Sequence, residues 1–218
     1  MKSLPECQLY AFVDTGYLRG RAPGAIARGL CDGGADLIQL RAKQSSPDEV
    51  RRLAEAILPV TSRAGVPLAI NDHLSVARAV GAQFCHLGQE DFFGAGHTQV
   101  SQLNTYLQSH TSRIGIGLSS AAPDQAARAI VAGADYVGVG PVYPTGTKPA
   151  AKPVTLEYVR WAAANIQIPW FAIGGINLGN LDAVLASGAR RICVVSAILN
   201  EDDLAAACRR FKDRLPAL

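Results

Sequence analysis

Apolar residues in this chain come in short runs, and nearly every run stops at a cluster of polar or charged residues. The runs rich in β-branched and aromatic residues are Leu9–Val13, Leu37–Leu40, Leu68–Ile70, Phe84–Leu87, Ile114–Gly117, Tyr136–Val139, Trp170–Ile173 and Ile192–Val195. Each is too short for a helix and fits a buried strand. Between them lie stretches with helical spacing: Pro23–Gly33, Ser46–Ala64, Leu74–Val80, Val100–Leu107, Pro123–Ala132, Leu156–Ala164, Asn177–Ser187 and Asp202–Leu215. Ser46 followed by Pro47 reads as an N-cap and first helical turn. A Gly-Ala pair recurs ahead of four strands, at Gly34, Gly81, Gly133 and Gly188, where glycine suits a helix end and a short turn. Eight strand–helix units with a period of about 25 residues predict a single parallel (β/α)8 TIM barrel spanning 1–218. A doubly wound open sheet is the alternative, but its Gly-rich phosphate loop is missing from Asp14–Gly20 after the first strand. The sequence shows no linker and no second domain.

Composition narrows the class. The chain has 218 residues, 49% hydrophobic and 18% charged, enough for one domain with a sizeable core and unlike a disordered segment. The net charge is +3 with the basic residues scattered, which excludes a nucleic-acid-binding stripe and suits small phosphorylated ligands. The five cysteines form no C-x-x-C pair and have no zinc spacing, so buried free thiols in a reducing compartment are expected. The polar start of the chain lacks a signal-peptide core, and no apolar stretch approaches the ~20 residues that span a bilayer. A cytoplasmic protein is the expectation.

In a parallel barrel all strands point their carboxyl ends at one rim, where the active site is built. The polar clusters fall there, one per strand from the second to the eighth. Alternation places Gln39, Arg41 and Lys43 on one side of the chain, a set suited to a polyanion such as diphosphate. Asp72 and Asp91 follow adjacent strands, which lie ~4.8 Å apart, so both carboxylates could reach one Mg2+. Asp72 could equally be the N-cap of the helix that follows, and Ser119-Ser120 an ordinary helix entry. The loop from Gly140 to Pro153, with its four prolines, two threonines and two lysines, is longer than a usual βα connection. Its Thr145-Gly146-Thr147-Lys148 segment offers hydroxyls, a flexible backbone and a cation, without Walker spacing. Gly174-Gly175 and Val195-Ser196 end the last two strands, where barrels commonly bind a monophosphate through backbone N–H groups.

Together QLRAK, IND, HLGQED, GVGPVYPTGTKP, IGGI and VVSAI resemble the thiamine-phosphate synthase family over about Leu9 to Leu215. The resemblance implies a TIM barrel joining a pyrimidine diphosphate to a thiazole phosphate, with Mg2+ as cofactor. Carried over by position, Gln39, Leu40, Arg41, Ala42, Lys43, Asn71, Ser119 and Lys148 would contact the pyrimidine diphosphate, and Asp72 and Asp91 would hold the metal. Thr145, Gly146, Thr147, Gly175, Val195 and Ser196 would contact the thiazole phosphate. Arg41, Lys43, Lys148 and Ser119 form the candidate catalytic set. The implied partners are small molecules, with no nucleic acid and no membrane; a homodimer is left open. The chain departs from the family pattern at His73, at Ser120-Ala121 and in the aromatic, Gly-rich segment Phe92–Thr98. None of the four histidines is assigned a catalytic role. The related thiazole tautomerase, on the same barrel, uses a His after the fifth strand and lacks the full diphosphate and metal set. A non-catalytic barrel with intact pockets is the third reading.

Overall fold

The computed structural model describes residues 1–104, 113–146 and 152–218. Eight parallel strands run β1 Leu9–Asp14, β2 Leu37–Arg41, β3 Leu68–Asn71, β4 Phe84–Leu87, β5 Gly115–Ser120, β6 Tyr136–Val139, β7 Trp170–Ile173 and β8 Ile192–Val194. Each pairs with the next, and β8 pairs back onto β1 through Ile192↔Leu9, Cys193↔Tyr10 and Val194↔Ala11. The sheet is therefore closed, as the alternating pattern predicts. Around it lie α1 Pro23–Asp32, α2 Pro47–Arg63, α3 Leu74–Val80, α4 Pro123–Val131, α5 Thr155–Asn165, α6 Leu181–Ala186, α7 Ser196–Leu199 and α8 Leu204–Lys212. No helix among the described residues is long and apolar enough to cross a membrane.

Local chemistry accounts for several element ends. The Ser46 hydroxyl accepts from the Glu49 amide while the Glu49 carboxylate accepts from the Ser46 amide, a capping box that starts α2. Gly81, at φ +76°, ends α3 in the left-handed conformation glycine adopts without penalty. Three expectations are corrected. Between β4 and β5 the predicted helix Val100–Leu107 is a 3-10 helix over Val100–Asn104, and its remaining residues lie outside the described ones. The fifth strand runs past Gly117 to Ser120, because Ser119 and Ser120 pair with Gly138 and Val139. After β8 a separate four-residue helix, α7, precedes α8.

Alternation divides the core into two layers. Leu9, Ala11 and Val13 face the helices, while Tyr10 and Phe12 fill the barrel with Leu37, Ala69, Tyr136 and Phe171. The filling is aromatic: the Tyr10 and Phe171 rings lie 5.3 Å apart, and Tyr136 meets Tyr10 edge-on at 5.9 Å. Gly117 makes room for it, since a Cβ there would lie 2.0 Å from Tyr136 Cζ. Four of the cysteines are buried and all five are free. Burial pushes the Cys7 and Cys208 thiols up to about 12, so these act as small apolar side chains.

At the end of the barrel away from the strand carboxyl ends, Asp36 is buried with 3% exposure. It accepts from the amides of Gln8 and Leu9 and pairs with Lys2 and with Lys212 of α8, the latter at 2.5 Å. Burial pushes this carboxyl up, but the bonds from the two lysines and two amides outweigh it and leave its pKa lowered. The folded state therefore binds the Asp36 proton less readily than the unfolded chain does. Its contribution to stability is present above the unfolded value of about 4 and is lost as pH falls through the lower folded value. Asp36→Asn is expected to cost about 1–3 kcal/mol at neutral pH, the lysines being partly hydrated. Urea unfolding of both proteins against pH checks this: the two curves converge in acid.

Candidate functional site at the carboxyl rim

The carboxyl ends of the strands surround a cavity of about 430 Å³. Gln39, Arg41 and Lys43 all line it, as their alternation requires. Leu40 and Ala42 do not: the same alternation turns them into the layer against the helices, where each is nearly fully buried. Any contact they make with a ligand would run through the main chain.

The cations of this rim are held by carboxylates from neighbouring strands. Asp14 and Arg41 are register partners at the ends of β1 and β2. Arg41 Nη1 donates to Asp14 Oδ2 at 2.7 Å, and Asp14 Oδ1 accepts from the Gly16 amide at 2.9 Å. Lys43 Nζ donates to Asp72 Oδ2 at 2.5 Å, and Asn71 Nδ2 donates to the same oxygen at 2.6 Å. Asp72 sits at φ +65°, a conformation that costs a non-glycine residue about 1–3 kcal/mol. Its amide donates to the His86 carbonyl on β4 at 2.9 Å. The N-cap of α3 is His73, without a side-chain cap bond, so Asp72 is not the helix cap. Asp72 instead lines the cavity.

Asp91 lies in a one-turn π-helix, Glu90–Gly94, and its carboxylate accepts from the Gly88 amide at 3.1 Å. The aromatic segment that departs from the family pattern anchors this turn. Phe92 is fully buried with its ring 4.8 Å from that of Phe93, and the Arg128 guanidinium lies 3.5 Å over the Phe93 ring. Gln89 Nε2 donates to the Ser119 carbonyl at 2.6 Å, tying the turn to β5. Among the described residues no group of three or more Asp, Glu, His or Cys converges, so the metal reading rests on two carboxylates.

Ser119 faces the cavity, and its Oγ lies 2.9 Å from His86 Nε2. His86 Nδ1 lies 3.2 Å from Tyr136 Oη, which lies 2.9 Å from Tyr10 Oη, which accepts from Gln39 Nε2 at 2.6 Å. Burial pushes both phenols well above their ordinary value. Sequence reading passed over His86, Tyr10, Tyr136 and Asp14. The available signal was parity: Tyr10 and Asp14 fall in step with Phe12, and His86 with Phe84, while Tyr136 alternates with Val137 and Val139, which face the helices.

On the opposite side the main cavity is lined by backbone and uncharged side chains. The chain after β6 stays bonded to the end of β7, with the Val142 amide donating to the Ile173 carbonyl at 2.8 Å and that of Tyr143 to the Gly174 carbonyl at 3.0 Å. Gly174 and Gly175 take φ of +103° and +65°. A Cβ on Gly175 would lie 2.5 Å from the Pro144 carbonyl oxygen. Thr145, Gly175, Val195 and Ser196 line the main cavity here. An adjoining hollow of about 560 Å³ is bounded by Thr145, Gly146, Gly175, Ser196, Asn200 and Arg210. Thr147 and Lys148 lie outside the described residues.

A closed (β/α)8 barrel with cations and carboxylates on one arc of its mouth and glycine-rich backbone on the other defines a TIM-barrel enzyme that handles phosphorylated small molecules. Comparison with known proteins makes this specific. Residues 9–198 match the family model described as thiamine monophosphate synthase, and the chain belongs to that family. Thiamine-phosphate synthase from Thermus thermophilus is 44% identical over 191 residues, 84% of each chain. That from Chloroflexus aurantiacus is 38% identical over 208 residues, 95% of this chain and 92% of its own. The structure of thiamine phosphate pyrophosphorylase from Pyrococcus furiosus superposes with a TM-score of 0.82 at 28% identity, over 96% of each chain. Tryptophan synthase from Mycobacterium tuberculosis, at 17% identity and TM-score 0.68 over 97% of this chain and 93% of its own, shares the barrel alone.

Gly175→Ala would combine a positive φ with a clash against the Pro144 carbonyl. The expected loss is about 1–3 kcal/mol. It is read as a lower urea midpoint with an unchanged denaturant slope.

Proposed function

We propose that this enzyme joins 4-amino-5-hydroxymethyl-2-methylpyrimidine diphosphate to 4-methyl-5-(2-hydroxyethyl)thiazole phosphate, giving thiamine monophosphate and pyrophosphate. The observation that carries the reading is the division of one mouth into two anion-binding arcs. Arg41, Lys43, Asp72 and Asp91 suit a metal diphosphate; Gly175, Val195 and Ser196, with Thr145, suit a monophosphate.

The donor set fits Mg2+. Asp72 and Asp91 are hard oxygen ligands that follow adjacent strands, and Mg2+ characteristically takes one or two carboxylates, water and substrate phosphate oxygens. When bound, the ion supplies Lewis-acid stabilisation of negative charge on the leaving pyrophosphate. Arg41, kept in place by Asp14, meets the diphosphate with a planar fork of donors, and Lys43 adds a second cation. Lys148 is proposed as a third on sequence grounds. As the methylene carbon–oxygen bond breaks, its electron pair goes to pyrophosphate. The electron-rich aminopyrimidine carries the resulting positive charge. The thiazole nitrogen then attacks the methylene carbon. That nitrogen has no proton to lose, so the carbon–nitrogen bond forms without a protein base. The residues' work is to position two rings, stabilise charge and exclude water. The Phe12 and Phe171 rings, which line the cavity floor, suit the last of these.

Incubation with both substrates and Mg2+, with pyrophosphate as the readout, tests the reading. Release is expected only when both substrates and the metal are present. Asp91→Ala is expected to lower the rate about 100-fold or more. Undiminished release from Asp91→Ala in the presence of a chelator would refute the metal assignment.

A further inference from the structure

The polar chain that crosses the aromatic barrel filling has a direction. Gln39 Nε2 donates to Tyr10 Oη, so the Tyr10 proton is left for Tyr136 Oη, 2.9 Å away. A hydroxyl has one proton, so a Tyr136 that accepts from Tyr10 would give its own to His86 Nδ1, 3.2 Å away. A neutral imidazole that accepts at Nδ1 carries its proton at Nε2, and that proton goes to Ser119 Oγ at 2.9 Å. The Ser119 proton is then left for an acceptor in the cavity. The arrangement is held from several strands. Tyr10 is on β1, Gln39 on β2, His86 on β4, Ser119 on β5 and Tyr136 on β6. The His86 and Tyr136 rings stack at 5.6 Å, and Gly117, their neighbour in register, has no side chain to keep them apart. Tyr10, Tyr136 and Gln39 are at most 2% exposed, so water does not compete for these bonds.

We propose that Gln39, Tyr10, Tyr136 and His86 form a one-way hydrogen-bond relay. It fixes His86 as the Nε2–H tautomer and presents the Ser119 hydroxyl to the cavity as a proton donor. That donor is matched to an acceptor atom of the pyrimidine diphosphate, a ring nitrogen or a phosphate oxygen. His86, Tyr136 and Tyr10 are positioning residues that act through Ser119. The proposal rests on the pyrimidine diphosphate reading for its ligand, but not for the tautomer. The opposite polarity, with the Gln39 amide turned over, would put the His86 proton at Nδ1 and make Ser119 an acceptor.

The protonated ring nitrogen of His86 is read by 1H–15N NMR of the ligand-free protein labelled at histidine, assigned with His86→Gln. The expected result is a single Nε2–H tautomer in the wild type and a mixture in Tyr136→Phe, or in Tyr10→Phe should the first variant not fold. Tyr136→Phe is expected to raise KM for the pyrimidine diphosphate about 3- to 10-fold, the value of one hydrogen bond. In a Ser119→Ala background the same change is expected to alter KM less than about 2-fold, because the relay has lost its target. A wild-type Nδ1–H tautomer, or an equal penalty with and without Ser119, would overturn the proposal. Wild-type protein that releases no pyrophosphate would remove the functional reading instead, while the tautomer measurement, made without substrate, still decides the relay.

Discussion

Pairing of β8 with β1 is the constraint on which the rest depends. Three register pairs close the sheet. Once it is closed and parallel, every strand delivers its carboxyl end to one circle. Residues as far apart as Arg41 and Ser196 then share a single cavity mouth. Closure also forces alternate side chains inward, and the inward set here is aromatic, with Tyr10, Phe12, Tyr136 and Phe171 filling the space beneath the site. The site's floor and the barrel's core are thus the same residues, and packing at the centre directly sets the positions of Gln39 and His86.

On this frame the charges are arranged in pairs that a ligand can exploit. Arg41 is held by a nearly buried Asp14, a charge-assisted bond in poor solvent that fixes the guanidinium. Lys43, at 42% exposure, bridges to Asp72 in contact with water, a pairing of about 0–1 kcal/mol that an incoming phosphate and metal can replace. One cation is therefore fixed while the other can exchange partners. Asp72 carries a strained backbone, and the turn that holds Asp91 is anchored by the Arg128–Phe93 contact.

Much of this was legible in the sequence because strand length, glycine turns and parity are local signals. The strand–helix alternation predicts the barrel, and the parity of Gln39, Arg41 and Lys43 predicts which side chains reach the cavity. The same rule, applied to Leu40 and Ala42, would have excluded their side chains; a contiguous motif hides the alternation. Ser119 and Ser120 resemble a helix entry because Ser-Ser-Ala-Ala-Pro has weak strand propensity, and pairing with β6 overrides it. Asp72 resembles a helix cap because nothing local reveals its positive φ or its bond partners on other strands. His86 and the two tyrosines stay hidden for a related reason: their meaning comes from contacts between strands far apart in sequence.

Arg41, Lys43, Asp72 and Asp91 are proposed to form together a site for a metal diphosphate. Calorimetric titration of the wild-type protein with pyrophosphate, with and without Mg2+, measures it most directly. Affinity for pyrophosphate is expected to rise by at least about tenfold when Mg2+ is present. Equal affinity in the presence and absence of the ion would contradict it.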